Sequence, residues 1–182
     1  MAKINESIVC AGFGGQGVMV LGKFLANAGM ASGMNVTWLP SYGAEVRGGT
    51  AHSFIRISTD IISNPVVFSP DTAILMNGPS LDKFEDSLLP GSLLILNSSM
   101  CDRAAVRTDM DIVNVPLTGE AMALGNIKVA NMIALGIYAS KRDIFDTELL
   151  FKVVEQMAGA RKELVAVNID AIKRGMAIGS GQ

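Results

Sequence analysis

A single histidine and two cysteines stand among the 182 residues, and that scarcity removes several chemistries at once. Cys10 and Cys101 lie far apart with no C-x-x-C pattern, so the chain offers neither an iron–sulfur cluster nor a zinc site of its own. No serine or cysteine is arranged with His52 as a nucleophile pair, and His52 falls in an alternating stretch where a structural role is expected. Cys10 sits inside the first predicted strand and reads as a small core hydrophobe. No catalytic residue and no metal ligand are therefore expected on this chain. No apolar run reaches the roughly 18 residues of a membrane span. The amino terminus Met1-Ala2-Lys3-Ile4-Asn5-Glu6 lacks the basic-then-apolar pattern of a signal peptide, so a cytoplasmic protein is expected. A net charge of −2 with no basic block leaves no electrostatic footprint for nucleic acid. Aromatic residues make up only 5%.

What the chain has instead is apolar bulk. Hydrophobic residues form 49% and charged residues 18%, enough for one domain over 1–182 with a sizeable core. Eleven methionines fit two uses, filling irregular core space or making an adaptable partner surface.

The most informative stretch is Val9-Cys10-Ala11-Gly12-Phe13-Gly14-Gly15-Gln16-Gly17-Val18. An apolar run stops in a glycine cluster and an amphipathic segment begins, which predicts a strand, a tight turn and a helix N-terminus. Glycine permits positive φ and close approach of a ligand to the backbone, and the first free N–H groups of the helix point into the turn. That is an anion site, most often for phosphate. Gly12, Gly14 and Gly17 match the G-x-G-x-x-G spacing of dinucleotide folds, a pattern that needs its context.

The context supplies alternating elements. Strands are expected over 7–11, 35–40, 50–58, 71–77, 92–97 and 111–116, with helices from 18 to Gly33, over 81–88, 129–139 and 167–176, and one beginning at Asp146. Residues 119–124 read as a single helical turn. This order predicts an α/β fold, three layers around a mostly parallel or mixed sheet. The second strand ends in Leu39-Pro40-Ser41, where an NAD site would carry an Asp or Glu for the ribose hydroxyls. The nearest acid, Glu45, belongs to the following loop. NAD and FAD therefore stand below another phosphate-bearing ligand.

That loop, Pro40-Ser41-Tyr42-Gly43-Ala44-Glu45-Val46-Arg47-Gly48-Gly49-Thr50, is the second informative stretch. Arg47 can grip a phosphate or carboxylate bidentately, the Gly48-Gly49 backbone leaves room, and Ser41, Tyr42 and Thr50 carry hydroxyls. The alternative is a surface turn with Glu45 and Arg47 merely solvated. Farther on, Asn131 lies in a strongly apolar helix; it either faces the ligand loops or is a satisfied structural amide.

Three segments together carry a family resemblance: Ala11-Gly12-Phe13-Gly14-Gly15-Gln16-Gly17, the loop from Pro40 to Thr50, and Gly125-Asn126-Ile127-Lys128-Val129-Ala130-Asn131-Met132-Ile133-Ala134-Leu135-Gly136. The chain resembles the gamma subunit of the 2-oxoacid:ferredoxin oxidoreductases over nearly its whole length. The resemblance implies a three-layer α/β/α Rossmann-like sandwich inside a complex that oxidatively decarboxylates a 2-oxoacid to its acyl-coenzyme A and reduces ferredoxin. It further implies alpha and beta, and in some members delta, partner subunits that carry thiamine diphosphate, magnesium and iron–sulfur clusters. The gamma portion is implicated in handling coenzyme A. The stretch Trp38 to Gly49 is most similar to 2-oxoglutarate-type members. In this reading Gly14, Gly15 and Gly17 cradle a phosphate, Gly12 belongs to the same site, and Gln16 donates an amide N–H. Ser41, Tyr42, Gly43, Glu45, Arg47, Gly48, Gly49, Thr50 and Asn131 complete the coenzyme A site. Two rivals remain: a stand-alone NAD- or FAD-dependent oxidoreductase, and a scaffold that binds nothing. A homodimer of the isolated chain stays open.

Overall fold

In β1 (Asn5–Phe13) consecutive side chains serve opposite cores: Ile8 and Cys10 enter one hydrophobic cluster, Val9 and Ala11 the other. Both faces being apolar, the strand has to lie in the middle of a covered sheet. The computed structural model describes residues 3–41 and 50–181, with only the backbone of Thr50. After β1 come α1 (Val18–Ala31), β2 (Asn35–Ser41), β3 (Thr50–Ser58), β4 (Thr72–Leu75) and α2 (Gly78–Phe84). β5 (Leu93–Asn97), β6 (Asp111–Val115), α3 (Leu117–Ala123), α4 (Ala130–Arg142), α5 (Thr147–Ala158) and α6 (Glu163–Gly179) complete the order.

The strands form one sheet in the order β2-β3-β1-β4-β5-β6. β1, β4, β5 and β6 are parallel, whereas β3 runs antiparallel to both β1 and β2. The expected three-layer α/β fold with a mixed sheet is what forms. α1 and α4 cover one face with α3 and α5, while α2 and the 101–110 connection cover the other. No helix among the described residues is long and apolar enough to cross a membrane.

α1 joins β1 to β2, and β3 inserts between those two strands, pairing Phe13 with Thr50 and Ser41 with His52. Its buried Ser53, Ile55 and Ile57 lie under α1, so β3 gains more apolar cover beside β1 than at an edge. β2 then becomes the edge, where Pro40 is tolerated. α2 starts earlier than expected because Asn77 Oδ1 accepts from the Ser80 N–H, and Pro79 opens the helix rather than blocking it.

Two interactions set where α4 lies. At its middle, Gly136 and Gly175 bring α4 and α6 into backbone contact; a Cβ on Gly136 would collide with the Ile172 carbonyl, and one on Gly175 with that of Ile133. At its end, Arg142 reaches the start of the sheet, donating from Nε to Thr72 Oγ1 (3.0 Å) and from Nη2 to the Asp71 carbonyl, and pairing with Glu6 at 3.1 Å. On the other face, buried Glu85 straps down the 101–110 connection. Its carboxylate accepts from Arg103 Nη1 (2.9 Å) and from the backbone N–H groups of Val106 (2.5 Å) and Arg107 (3.0 Å).

Gly175→Ala should destabilise the protein by at least about 1–3 kcal/mol, the cost of overpacking against a backbone that cannot yield, as measured by urea unfolding. Desolvation pushes the Glu85 carboxyl up, but the Arg107 N–H, the Arg103 guanidinium and the Val106 N–H outweigh it and hold the group below the ordinary glutamate range. A carboxyl easier to ionise folded than unfolded contributes stability above its unfolded pKa, lost as pH falls through the folded one. Glu85→Gln should therefore lower stability at neutral pH by about 1–3 kcal/mol and flatten the acid limb of a stability-against-pH curve.

Candidate functional site

The four parallel strands all end at the same rim, and the glycine turn lies there between β1 and α1. Gly15 and Gly17 adopt φ of 95° and 74°, values that disfavour any side chain. Gly17 caps α1 with no side-chain hydrogen bond, and the first turn of the helix carries no acid, so its N–H groups face the turn uncompensated. Gly12 is needed for a different reason: a Cβ there would stand 2.6 Å from Gln16 Oε1 and 2.9 Å from Met76 Cβ. Gly14 has open space and no positive φ.

The turn is pinned by Gln16. Its Oε1 accepts from the Phe13 N–H at 2.6 Å and from Asn77 Nδ2 at 3.2 Å, and its Nε2 donates to the Met76 carbonyl at 2.9 Å. The Met76 carbonyl also accepts from Asn97 Nδ2 at 3.2 Å, which in turn donates to Thr118 Oγ1 at 3.0 Å. The expectation that Gln16 serves a ligand thus meets a side chain largely occupied with holding the turn to the end of β4. Asn77 and Asn97, both fully buried, were missed in the sequence because each looks only like a polar stop to an apolar strand.

Asn131 stands on the first turn of α4, 4% exposed, and donates from Nδ2 to the Gly17 carbonyl at 3.1 Å. Its Oδ1 is buried with no hydrogen-bond partner among the described residues. The strand ends carrying Ser41 and Thr50 lie at this same rim, as the pairings of Ser41 with His52 and Phe13 with Thr50 require. Tyr42, Gly43, Glu45, Arg47, Gly48 and Gly49 lie outside the described residues.

Two depressions meet at Gly15 and Lys128. The larger, about 480 Å3, runs between α1, α4 and α5 and is lined by Lys23, Lys128, Arg161 and Asn131 above apolar walls. The smaller, about 200 Å3, is a mainly apolar slot between Met76, Met100, Ile127 and Ala130. Neither has an Asp or Glu in its described lining, so three cations and a helix N-terminus act in one direction. Lys23, Lys128 and Arg161 come from separate segments, and in the sequence each reads as an ordinary solvated cation. His52 packs edge-on against Phe54 and Phe84, at 5.4 and 5.2 Å between ring centres. Burial pushes the Cys10 thiol far up, and no cluster of three His, Cys, Asp or Glu side chains suited to a metal occurs among the described residues. The arrangement can hold a phosphorylated ligand; its described lining includes no His, Cys, Asp or Glu.

Removing the pin should loosen the turn. Gln16→Ala leaves the Phe13 N–H and the Asn77 amide short of an acceptor, so stability should fall by about 1–3 kcal/mol. Amide exchange at residues 13–17 should quicken before the rest of the sheet, which hydrogen-exchange mass spectrometry reads directly.

Comparison with known proteins agrees with this geometry. The pyruvate ferredoxin/flavodoxin oxidoreductase family model matches residues 7–178. The ketoisovalerate oxidoreductase subunit VorA of Methanothermobacter thermautotrophicus is 32% identical over 168 residues, 91% of this chain but only 34% of VorA. This chain thus spans about a third of that relative. The 2-oxoglutarate synthase subunit KorC of the same organism is 33% identical over 143 residues, 75% of this chain and 76% of KorC. The fold recurs in the 2-oxoglutarate:ferredoxin oxidoreductase from Magnetococcus marinus, solved with 2-oxoglutarate, coenzyme A and succinyl-CoA bound. There the TM-score is 0.89 at 23% identity, over 100% of this chain and 32% of that one. It recurs also in the keto/oxoacid ferredoxin oxidoreductase gamma subunit from Geobacter sulfurreducens, with a TM-score of 0.84 at 23% identity over 97% and 99% of the two chains. With a family model covering almost every residue from β1 to the end of α6, the chain belongs to the pyruvate ferredoxin/flavodoxin oxidoreductase family.

Proposed function

We propose that this chain is the gamma subunit of a 2-oxoacid:ferredoxin oxidoreductase complex and that its share of the reaction is to bind and orient coenzyme A. The observation that carries the reading is the uncapped N-terminus of α1 behind Gly15 and Gly17, flanked by Lys23, Lys128 and Arg161 with no acid in the described lining. Coenzyme A is a phosphorylated ligand with a slender amide-bearing arm. Its phosphates suit the α1 N–H groups and the three cations, and its arm suits the narrow slot beside Met76 and Ile127. By fixing the coenzyme, the chain converts a bimolecular encounter between thiol and acyl donor into a positioned one. Tyr42, Glu45 and Arg47, between β2 and β3 in the sequence, would add ligand contacts in this reading.

Thiamine diphosphate, Mg2+ and iron–sulfur clusters, carried by alpha, beta or delta partner chains, would supply decarboxylation and electron transfer. The donor set here does not fit such groups, since the described residues bring no three metal-ligating side chains together. We take 2-oxoglutarate as the substrate, on the similarity of the stretch Trp38 to Gly49 to 2-oxoglutarate-type members. Relatives of nearly equal identity are named for ketoisovalerate and for 2-oxoglutarate, which fits a keto acid chosen largely on other chains. A nicotinamide reading is less well supported: β3 lies where a dinucleotide fold places its second strand, and β2 ends in Leu39-Pro40-Ser41 without an acid.

The test is co-purification with the neighbouring subunits, followed by coenzyme A–dependent oxidation of 2-oxoglutarate and of ketoisovalerate with an artificial electron acceptor. Turnover should require coenzyme A. Lys128→Ala should raise its apparent KM roughly two- to fivefold, the worth of one solvent-screened charge contact, while assembly survives. Tight NADH binding by the chain without partners would overturn the proposal, and an unchanged KM in both Lys128→Ala and Arg47→Ala would favour a scaffold.

A further inference from the structure

The Gly17 carbonyl decides which way the Asn131 amide points. Nδ2 must face that carbonyl to donate at 3.1 Å, because turning the amide over would set two oxygens against each other. Oδ1 is therefore the atom left over, buried with no hydrogen-bond partner among the described residues, on a side chain only 4% exposed that lines the larger depression. A buried acceptor without a partner costs about 1–3 kcal/mol, so its retention calls for an occupant. The charged side chains that line that depression, Lys23, Lys128 and Arg161, are all cations, and the α1 N–H groups stand beside them. An anion alone satisfies those groups and leaves Oδ1 facing like charge.

We infer that Asn131 Oδ1 is a specificity contact that accepts a hydrogen bond from a neutral N–H or O–H donor on the phosphorylated ligand. The inference rests on the coenzyme A reading and adds a requirement to it. The site selects a ligand that brings an anion to the helix terminus and, within the same few ångströms, a donor to Asn131. Two parts of coenzyme A carry such donors, the amide and hydroxyl groups of the phosphopantetheine arm and the amino and hydroxyl groups of the nucleotide. Free phosphate or pyrophosphate carries the charge without a comparable neutral group. The Asn131 contact thus separates a whole coenzyme from the inorganic anions that the cationic lining attracts equally well.

The assembled complex, wild type and Asn131→Ala, should be titrated by equilibrium dialysis with pyrophosphate, phosphopantetheine, adenosine bisphosphate and coenzyme A. Loss of one neutral hydrogen bond predicts coenzyme A binding weaker by roughly three- to tenfold. One of its two fragments should weaken by the same factor, with pyrophosphate unchanged. Loss confined to phosphopantetheine assigns the donor to the arm, and loss confined to adenosine bisphosphate assigns it to the nucleotide. A variant whose affinity for all four probes falls together has only lost the support of Gly17, and one whose affinity for none falls has an acceptor satisfied by water; either result overturns the inference and leaves the coenzyme A reading standing. A wild-type complex that binds no probe overturns both.

Discussion

The amide of Gln16 reaches back across its own turn to the Phe13 N–H and forward to the Met76 carbonyl, so one uncharged side chain ties the end of β1 to the end of β4. A glycine-rich turn left to itself is entropically costly to order, because glycine loses more backbone freedom on folding than any other residue. Here the cost is offset by partly buried hydrogen bonds that continue through Asn77, Asn97 and Thr118. The positive-φ glycines and the uncapped start of α1 are consequently held in a fixed relation to the strand ends. Every other property of the rim depends on that: the direction of the free N–H groups, the contact of Gly17 with Asn131, and the meeting of both depressions at Gly15.

The parts of this arrangement differ in how far the sequence shows them. Val9 to Val18 displays its strand, turn and helix start in order, because an apolar run, a glycine cluster and a 3.6-residue periodicity are local signals. The missing acid after β2 is equally local. Strand order is not: nothing within 50–58 tells that β3 will slip between β1 and β2, since that outcome depends on the apolar cover α1 offers to Ser53, Ile55 and Ile57. Gln16 looked like a free donor because a glutamine's partners lie three residues back and some sixty residues on. The cations of the groove were illegible for the same reason. Lys23, Lys128 and Arg161 mean little singly and converge only when α1, α4 and α5 are folded together.

The mixed sheet has a further consequence for the site. Because β3 runs antiparallel between two strands that point to the rim, the connection it makes with β2 leaves and returns at that rim, beside the glycine turn. A parallel neighbour would instead have needed a crossover element and carried its connection to the far edge. The fold thus sets Ser41 and Thr50, the strand ends that flank the second glycine-bearing segment, on the same side as the first.

α4 transmits constraint across the whole depth of the sheet. Its first turn carries Asn131 at the rim, and its last residue, Arg142, is anchored at the opposite end of the strands to Thr72, Asp71 and Glu6. At about 1.5 Å per residue a thirteen-residue helix spans roughly 20 Å, close to the length of the strands it covers, so both ends can be fixed without bending. Between the ends, Gly136 lets α6 press directly on the backbone, and no side chain intervenes to rock or slide. A helix held at both ends and at its middle has little freedom to retract Asn131 from Gly17. The amide whose oxygen lacks a donor is therefore held in place by elements far from any ligand, which is how a recognition contact stays ready before its ligand arrives.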